Sequence, residues 1–251
     1  MKKIYLLAVA LAGTLLTSCS DFLDKVPLVV PSSETFLTNQ SAVTNYVNGL
    51  YIALPSAGAY GMGIMGEEKN SDNIDNIKMY DRRMNGELQE SIGGVTEWQK
   101  GYQNLRSVNY FLEYYKVPAA EETAEVLSLK GEAYFFRAYW HYYLLTKFGS
   151  IPVMDKFWDG NATVGGLQIP ARDRSAVAQF ILDDLKAAKE LLYSRSKYQG
   201  LRICKEAAMV MAMRVALFEG TWEKYHKGTD FAAAEYKSDD FLQQVLTLGD
   251  E

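Results

Sequence analysis

The stretch from Glu132 to Val153 limits the possible folds of this chain more than any other part of it. Eight of its residues are Tyr, Phe or Trp, and at helical spacing they lie on almost every side of a helix. A helix that is apolar all round cannot lie on a protein surface, so we expect other helices to pack around it. Gly149 and Pro152 predict where this helix ends, because glycine commonly follows a helix and proline cannot continue one.

Apolar residues at helical spacing predict further helices on both sides of this one. With it, the predicted helices are residues 40–54, 95–117, 122–148, 172–192, 202–219 and 239–248. Gly220 is expected to close the fifth helix, and a polar break is expected from Ser194 to Gly200. Long helices joined by a few residues predict antiparallel hairpins. The predicted fold class is therefore all-α.

A short internal repeat favours one version of this class. Glu132, Ala133 and Ala138 recur as Glu206, Ala207 and Ala212, at an offset of 74 residues. This offset is close to two helix-turn-helix units of tetratricopeptide length, and alanine suits positions where two helices touch. The prediction is a set of tetratricopeptide-like helical hairpins with long irregular loops at 55–92 and 150–172.

The amino terminus has the features of a secretory signal. Two lysines precede an apolar run from Ile4 to Leu16, which is too short to span a membrane. The run ends in Leu16-Thr17-Ser18-Cys19, which resembles a bacterial lipobox. That resemblance implies cleavage before Cys19 and lipidation of this cysteine, which would anchor the chain in a membrane. The alternative is an ordinary signal peptide in which Cys19 is incidental.

These features divide the chain into three parts. Residues 1–18 are predicted to be a lipoprotein signal peptide, 19–33 a tether, and 34–251 the helical domain. Pro27 and Pro31 favour extended backbone in the tether. The acidic run from Ser20 to Asp24 resembles the surface-export signal of Bacteroidetes lipoproteins.

Composition and motifs exclude several classes of function. The formal net charge of −5 and the lack of a basic stripe argue against binding to nucleic acid. Only His141 and His226 are present, without zinc-ligand spacing, so no catalytic or metal centre is predicted. Gly61-x-Gly63-x-x-Gly66 follows a helix and a proline, which is the wrong context for a dinucleotide loop. His141 and Cys204 are expected in the core.

Two polar features keep alternatives open. Arg137, among aromatic residues, is expected to anchor a loop through carbonyls or a carboxylate, with ligand contact as the alternative. The cluster at Asp72, Asn73, Asp75 and Asn76 could hold Ca²⁺, but it lacks the glycine and glutamate of a calcium loop, so a solvated turn is expected.

Motifs along most of the chain resemble one protein family. They are Glu132-Ala133, Arg137-Ala138, Tyr142, Leu144 and Phe148-Gly149-x-Ile-Pro-Val; Trp98, Tyr102 and Asn109; Asp183-Asp184-Leu185 and Ala187; Lys205, Ala207-Ala208 and Arg214-Val215; and Ser71-Asp72-Asn73. In this order they are similar to the SusD/RagB family of outer-membrane nutrient-binding lipoproteins. Met213 and Phe218 depart from the family pattern but keep plausible packing volume. Members carry a second half, so residues 34–251 are expected to be an incomplete amino-terminal portion.

The resemblance implies a function and a place. It implies a lipid-anchored protein that faces the cell exterior and forms a lid over a TonB-dependent, SusC-like outer-membrane transporter. Such a protein captures glycans. The resemblance implies neither catalysis nor a cofactor. Sugar binding needs flat aromatic faces with Arg and amide groups at the rim. The loop residues that supply this mixture are Tyr60, Tyr80, Arg82, Arg83, Asn85 and Trp158.

Other interpretations remain beside this one. Each of these loop residues could equally pack its own loop. The principal alternative function is a lipid-anchored, tetratricopeptide-like scaffold that binds protein and no sugar. A lipoprotein enzyme is a third, and the lack of a nucleophile–base arrangement argues against it.

Overall fold

Seven α-helices follow one another in the residues that the computed structural model describes, which are 36–55, 96–158 and 169–250. They are α1 (Gln40–Leu50), α2 (Thr96–Tyr114), α3 (Ala124–Phe148), α4 (Arg174–Leu191), α5 (Arg195–Tyr198), α6 (Lys205–His226) and α7 (Ser238–Gly249), with 3-10 turns at Tyr51–Ala53 and Ala119–Glu121. Within these ranges the only extended pairing is one antiparallel bridge between Ile151 and Arg172. The all-α prediction is confirmed.

Helices that follow one another in the chain pack on one another. α2 packs on α3, α3 on α4, α4 on α6, and α6 on α7, all within one compact unit that begins at Leu37. α3 also contacts α1, so the aromatic helix has neighbours on several sides, as its composition predicts. Phe136, Trp140 and Leu144 are at most 2% exposed and form part of the central core.

The helix ends follow from local chemistry. Side chains of Asn39, Thr123 and Asp173 accept hydrogen bonds from the backbone N–H groups at the starts of α1, α3 and α4. Such caps satisfy donors that have no partner inside the helix. Gly149 ends α3 with φ of +70°, and its N–H donates to the Leu145 carbonyl at 2.9 Å. The prediction that Gly149 closes this helix is confirmed.

The prediction that Gly220 closes the fifth helix is wrong, because α6 continues to His226. A Cβ atom at Gly220 would lie 2.8 Å from Leu242 Cγ and 3.1 Å from the Ser238 carbonyl oxygen. The Ser238 hydroxyl also donates to the Gly220 carbonyl at 2.7 Å. This glycine therefore serves the close approach of α6 and α7. The polar break after Ser194 also contains the single helical turn α5, which the sequence analysis did not predict.

Three arginine–carboxylate pairs join elements that are distant in sequence. Arg137 pairs with Asp184, Arg174 with Glu219, and Arg202 with Glu132, each with its closest N···O distance at 2.6 or 2.7 Å. Glu132 also accepts a hydrogen bond from the Tyr51 hydroxyl at 2.7 Å. Removing one partner would leave a buried charge without compensation, so these pairs fix the register between helices.

The internal repeat corresponds to packing at its alanines. Ala133, Ala138 and Ala212 are buried, while Ala207 is half-buried. The glutamates differ, because Glu132 is buried and Glu206 is exposed. Cys204 is a buried free thiol, as expected. Among the helices described, none is long and apolar enough to cross a membrane.

Candidate functional site

Trp158 is the one predicted glycan-binding residue that lies within the described ranges. Tyr60, Tyr80, Arg82, Arg83 and Asn85 lie outside the described residues, as do Cys19 and the acidic cluster at 72–76. The site can therefore be examined from Trp158 and the elements around it.

A ridge of large side chains runs along α2 beside Trp158. The residues Trp98, Tyr102, Arg106, Tyr110 and Tyr114 recur every four positions, and residues four apart lie on the same face of a helix. This ridge faces residues 151–158, the extended segment that follows α3. We call the ridge, together with Phe157 and Trp158, the aromatic ledge.

Side chains of two helices hold the backbone of the segment that carries Trp158. From α2, the Tyr102 hydroxyl donates to the Pro152 carbonyl at 2.8 Å, and the Asn109 amide donates to the Met154 carbonyl at 2.8 Å. Arg106 Nη1 donates to the carbonyl of Trp158 itself. Burial raises the pKa of Tyr102, so its hydroxyl stays a donor through the physiological range. The segment is thus fixed by rigid helices, which favours a preformed site.

Arg137 of α3 anchors the same segment. Its guanidinium donates to both carboxylate oxygens of Asp184, at 2.7 and 2.6 Å, and to the Asp155 carbonyl at 2.8 Å. The guanidinium carbon lies 5.4 Å from the Tyr134 ring centroid and 5.2 Å from that of Phe180. The prediction that Arg137 anchors a loop through carbonyls or a carboxylate is confirmed. Because its side chain is only 11% exposed and already bonded, ligand contact is not supported.

His141 completes the support from α3. It is fully buried, and its Nε2 accepts a hydrogen bond from the Met154 N–H at 3.1 Å. Its Nδ1 lies 2.9 Å from the Arg137 carbonyl oxygen, so Nδ1 must carry the proton and Nε2 the lone pair. Burial lowers the pKa of His141 to about 3. The residue is neutral and packed, as expected for a core histidine.

Trp158 itself combines a flat ring with polar groups. Its side chain is half-buried, and Lys156 Nζ lies 4.9 Å from its ring centroid. The indole Nε1 has no hydrogen-bond partner among the described residues. The neighbouring Phe157 ring meets Tyr110 and Tyr114 edge to face, at centroid distances of 5.3 and 5.7 Å. The ledge therefore offers aromatic faces and cations in one place.

The other end of the ledge also exposes a ring. Trp98 is 37% exposed, and its ring lies 4.7 Å from Tyr102 and 5.1 Å from Phe148, centroid to centroid. By contrast, Trp140 is buried, and half-buried Trp222 has Arg174 and His226 about 4 Å from its ring and lines a separate pocket. Trp98 and Trp158 are thus the two tryptophans of the ledge.

A concave surface elsewhere on the molecule has different chemistry. It is a groove of about 600 Å³ whose lining includes Leu54, Phe135, Tyr139, Ile203, Val210 and Met211. Val210 is 59% exposed at this groove. Such an apolar surface suits contact with protein better than contact with a sugar. No cluster of His, Cys, Asp or Glu suitable for a metal ion occurs within 36–55, 96–158 or 169–250.

Sequence reasoning missed Arg106, Lys156 and Phe157. The four-residue spacing along α2 was a readable signal, but the sequence does not reveal that this ridge meets residues 151–158. Trp98 and Tyr102 were used only as residues of a family motif.

Comparisons with known proteins agree on one family. A SusD-like family model, described as starch-binding and associating with the outer membrane, matches residues 21–217. A SusD-like protein of Formosa agariphila is 23% identical over 223 residues, which is 82% of this chain and 41% of that protein. The chain thus spans less than half the length of that relative.

Solved structures show the same relationship. The crystal structure of a SusD-like protein from Bacteroides fragilis has a TM-score of 0.64 and 25% identity, covering 90% of this chain and 41% of that one. A second, of a SusD-like carbohydrate binding protein from the same species, has a TM-score of 0.64 and 18% identity, with coverages of 87% and 42%.

Proposed function

Since the chain belongs to the SusD-like family, whose model is described as starch-binding and outer-membrane-associated, we propose that it captures extracellular glycans at the cell surface. In this proposal it passes them to a TonB-dependent, SusC-like transporter for import. One of the similar solved structures is of a carbohydrate binding protein, which agrees in ligand class.

The observation that carries the proposal is the aromatic ledge at Trp158. Sugars present C–H faces that pack on aromatic rings, and their hydroxyls need donors and acceptors around the ring. Trp158 is half-buried and therefore held in place, yet part of it remains open. Arg106 and Lys156 beside it are exposed and can donate hydrogen bonds to sugar hydroxyls.

Binding follows from preorganisation of this ring. Arg106, Asn109 and Arg137 fix the backbone of residues 154–158 through carbonyl oxygens. Little side-chain and loop entropy is then lost when a ligand binds. We also propose Tyr60, Tyr80, Arg82, Arg83 and Asn85 as glycan-binding residues.

The test is retention in native affinity gels that contain single polysaccharides, starch among them. Trp158→Ala should weaken binding about tenfold, because losing one stacked ring costs roughly 1.4 kcal/mol. Tyr225→Ala is the matched control, since Tyr225 is 76% exposed on α6 and is not part of the ledge. If every polysaccharide that binds the protein retains the wild type and Trp158→Ala equally, the ledge is not part of the glycan-binding site.

Anchoring at the membrane is the second part of the proposal. Cys19 in the lipobox-like Leu16-Thr17-Ser18-Cys19 is the residue proposed to be lipidated. Cys19→Ala should move the protein from the membrane fraction to the soluble fraction, while Cys204→Ala should not, because Cys204 is a buried thiol. Retention of Cys19→Ala in the membrane would contradict the anchor.

A protein-binding scaffold is the competing function, and one observation favours it. The groove at Val210 is largely apolar, and Val210 is 59% exposed within it. Val210→Asp should then abolish co-purification of a partner protein, while glycan retention stays unchanged. Co-purification of a protein that is not a transporter, with no retention by any polysaccharide, would favour the scaffold over the glycan receptor.

A further inference from the structure

We propose that the aromatic ledge selects glycans that carry negative charge, as carboxylate groups of uronic acids or as sulfate esters. This inference rests on the proposed glycan-binding function and narrows its ligand class. It comes from two exposed cations, Arg106 and Lys156, which both contact Trp158.

Arg106 is held in position with donors to spare. Nη1 donates to the Trp158 carbonyl, and the guanidinium carbon lies 4.6 Å from the Phe157 ring centroid. A guanidinium has five N–H donors, and the residue is exposed, so other donors are open to solvent. Its planar fork matches the paired oxygens of a carboxylate or a sulfate.

Lys156 adds a second positive charge at the same ring. It is exposed, and its ammonium stands 4.9 Å from the centroid of Trp158. Within the described ranges, no carboxylate oxygen lies within 4.0 Å of a side-chain nitrogen of Arg106 or Lys156. Asp155, the nearest acid in sequence, lies 3.8 Å from Arg172 instead.

Arg106 differs in this respect from the arginines that join distant elements of the fold. Arg137, Arg174 and Arg202 each bind a carboxylate, and exposed Lys237 pairs with Glu235 at 2.7 Å. Arg106 and Lys156 both contact Trp158, although the chain as a whole carries a formal charge of −5. An anionic group on a ligand at this ring would be attracted by both cations.

The Trp158 ring completes the arrangement. Its Nε1 is shielded from solvent and has no acceptor among the described residues, so a ligand would meet the ring face and not the indole N–H. A ring with two cations beside it fits a sugar that carries an anionic substituent.

The experiment compares polysaccharides that differ only in charge. Dextran sulfate is paired with dextran, and polygalacturonate with its methyl ester, so that the two arms separate sulfate from carboxylate. Affinities of the purified protein are measured at about 0.05 and 0.5 M NaCl, between which the screening length falls from above 10 Å to below 5 Å. We expect an anionic member to bind at least about fivefold more tightly at low salt, and the ratio to shrink at high salt.

Variants assign the preference to the two residues. Arg106→Gln and Lys156→Gln should each lower the anionic-to-neutral affinity ratio about threefold, and Arg106→Lys should lower it less. Arg195→Gln removes the same charge from exposed α5 and should leave the ratio unchanged. Thermal unfolding of each variant establishes that it is folded. The salt dependence of the wild type tests the inference without any substitution.

The outcomes are distinguishable. Tight binding only to neutral glycans would overturn this inference and leave the proposed function standing. An anionic-to-neutral affinity ratio that does not change in the Arg106 and Lys156 variants would have the same consequence. No binding to any glycan, neutral or charged, would overturn both.

Discussion

The free energy of unfolding should fall by about 2 kcal/mol less in His141→Gln than in the wild type when the pH is lowered from 7.5 to 5.0. His141 is fully buried and neutral, and burial lowers its pKa from 6.5 to about 3. In the unfolded chain the imidazole titrates near its ordinary value, so unfolding and proton uptake are linked.

The magnitude follows from the two pKa values. At pH 7.5 both the folded and the unfolded histidine are almost entirely neutral, so the stabilisation is fully present. Below pH 6.5 the unfolded chain binds a proton that the folded protein excludes, and the free energy of unfolding falls by about 1.4 kcal/mol per pH unit. Over the 1.5 units to pH 5.0 the loss reaches about 2 kcal/mol, and it continues until the pH approaches the folded pKa of about 3.

Urea unfolding followed by far-UV circular dichroism at pH 7.5, 6.5, 5.75 and 5.0 measures this loss. Gln offers one donor and one acceptor, for the Arg137 carbonyl and the Met154 N–H, but does not titrate. Acidic groups titrate alike in both proteins, so the difference between the two pH profiles isolates His141. If wild type and His141→Gln lose the same free energy to within about 0.5 kcal/mol, the assignment of a buried, neutral His141 is refuted.

Four further substitutions test an ion pair and the helix packing of the fold, each by urea unfolding at pH 7.5. Arg137→Met should destabilise the fold by about 3–5 kcal/mol because Asp184 is left buried without its partner. Adding Asp184→Asn should restore part of the lost stability. If the two substitutions have independent, additive effects, the pairing of Arg137 with Asp184 is contradicted. Gly220→Ala should cost about 1–3 kcal/mol, because its Cβ would lie 2.8 Å from Leu242 Cγ. Gly49→Ala, the matched control in α1 with nothing within 4 Å, should stabilise by up to about 1 kcal/mol, and an equal effect at both glycines would exclude close packing as the cause.

Local chemistry made most of the helix boundaries predictable. Prolines, caps and the glycine at 149 act within a few residues, so they can be read from sequence. Gly220 shows the limit of this reading, because a glycine that ends a helix and a glycine that admits a neighbouring helix look alike. The two kinds of glycine are distinguished here only by the position of Leu242, which lies on the next helix, α7.

The buried charges were beyond sequence reasoning for the same reason. Glu132 and Asp184 occur on helices where an acidic residue usually faces solvent, and their arginine partners are 70 and 47 positions away. Arg137 was an exception, because a guanidinium among aromatic residues must have acceptors wherever they lie. Its role could be predicted, although its partners could not.

Trp158 is the one predicted glycan-binding residue that lies within the described ranges, and its role stays a prediction. It was chosen because sugar binding needs flat aromatic faces and Trp158 supplies one in an irregular loop. The cations beside it were missed, since Arg106 belongs to a helix 52 positions earlier and reaches Trp158 only when α2 packs along residues 151–158.

The most direct test of the central claim is a two-dimensional ¹H–¹⁵N NMR spectrum of the protein with and without a retained glycan. The chain has four tryptophans, so four indole N–H signals are expected, and Trp158→Phe identifies the one from the ledge. Trp140 is buried and the Trp222 indole already donates to the Phe231 carbonyl at 3.0 Å, so these two signals should stay in place. We predict that the Trp158 signal shifts as the glycan is added. A Trp158 signal that stays fixed while the glycan binds would contradict the proposed site.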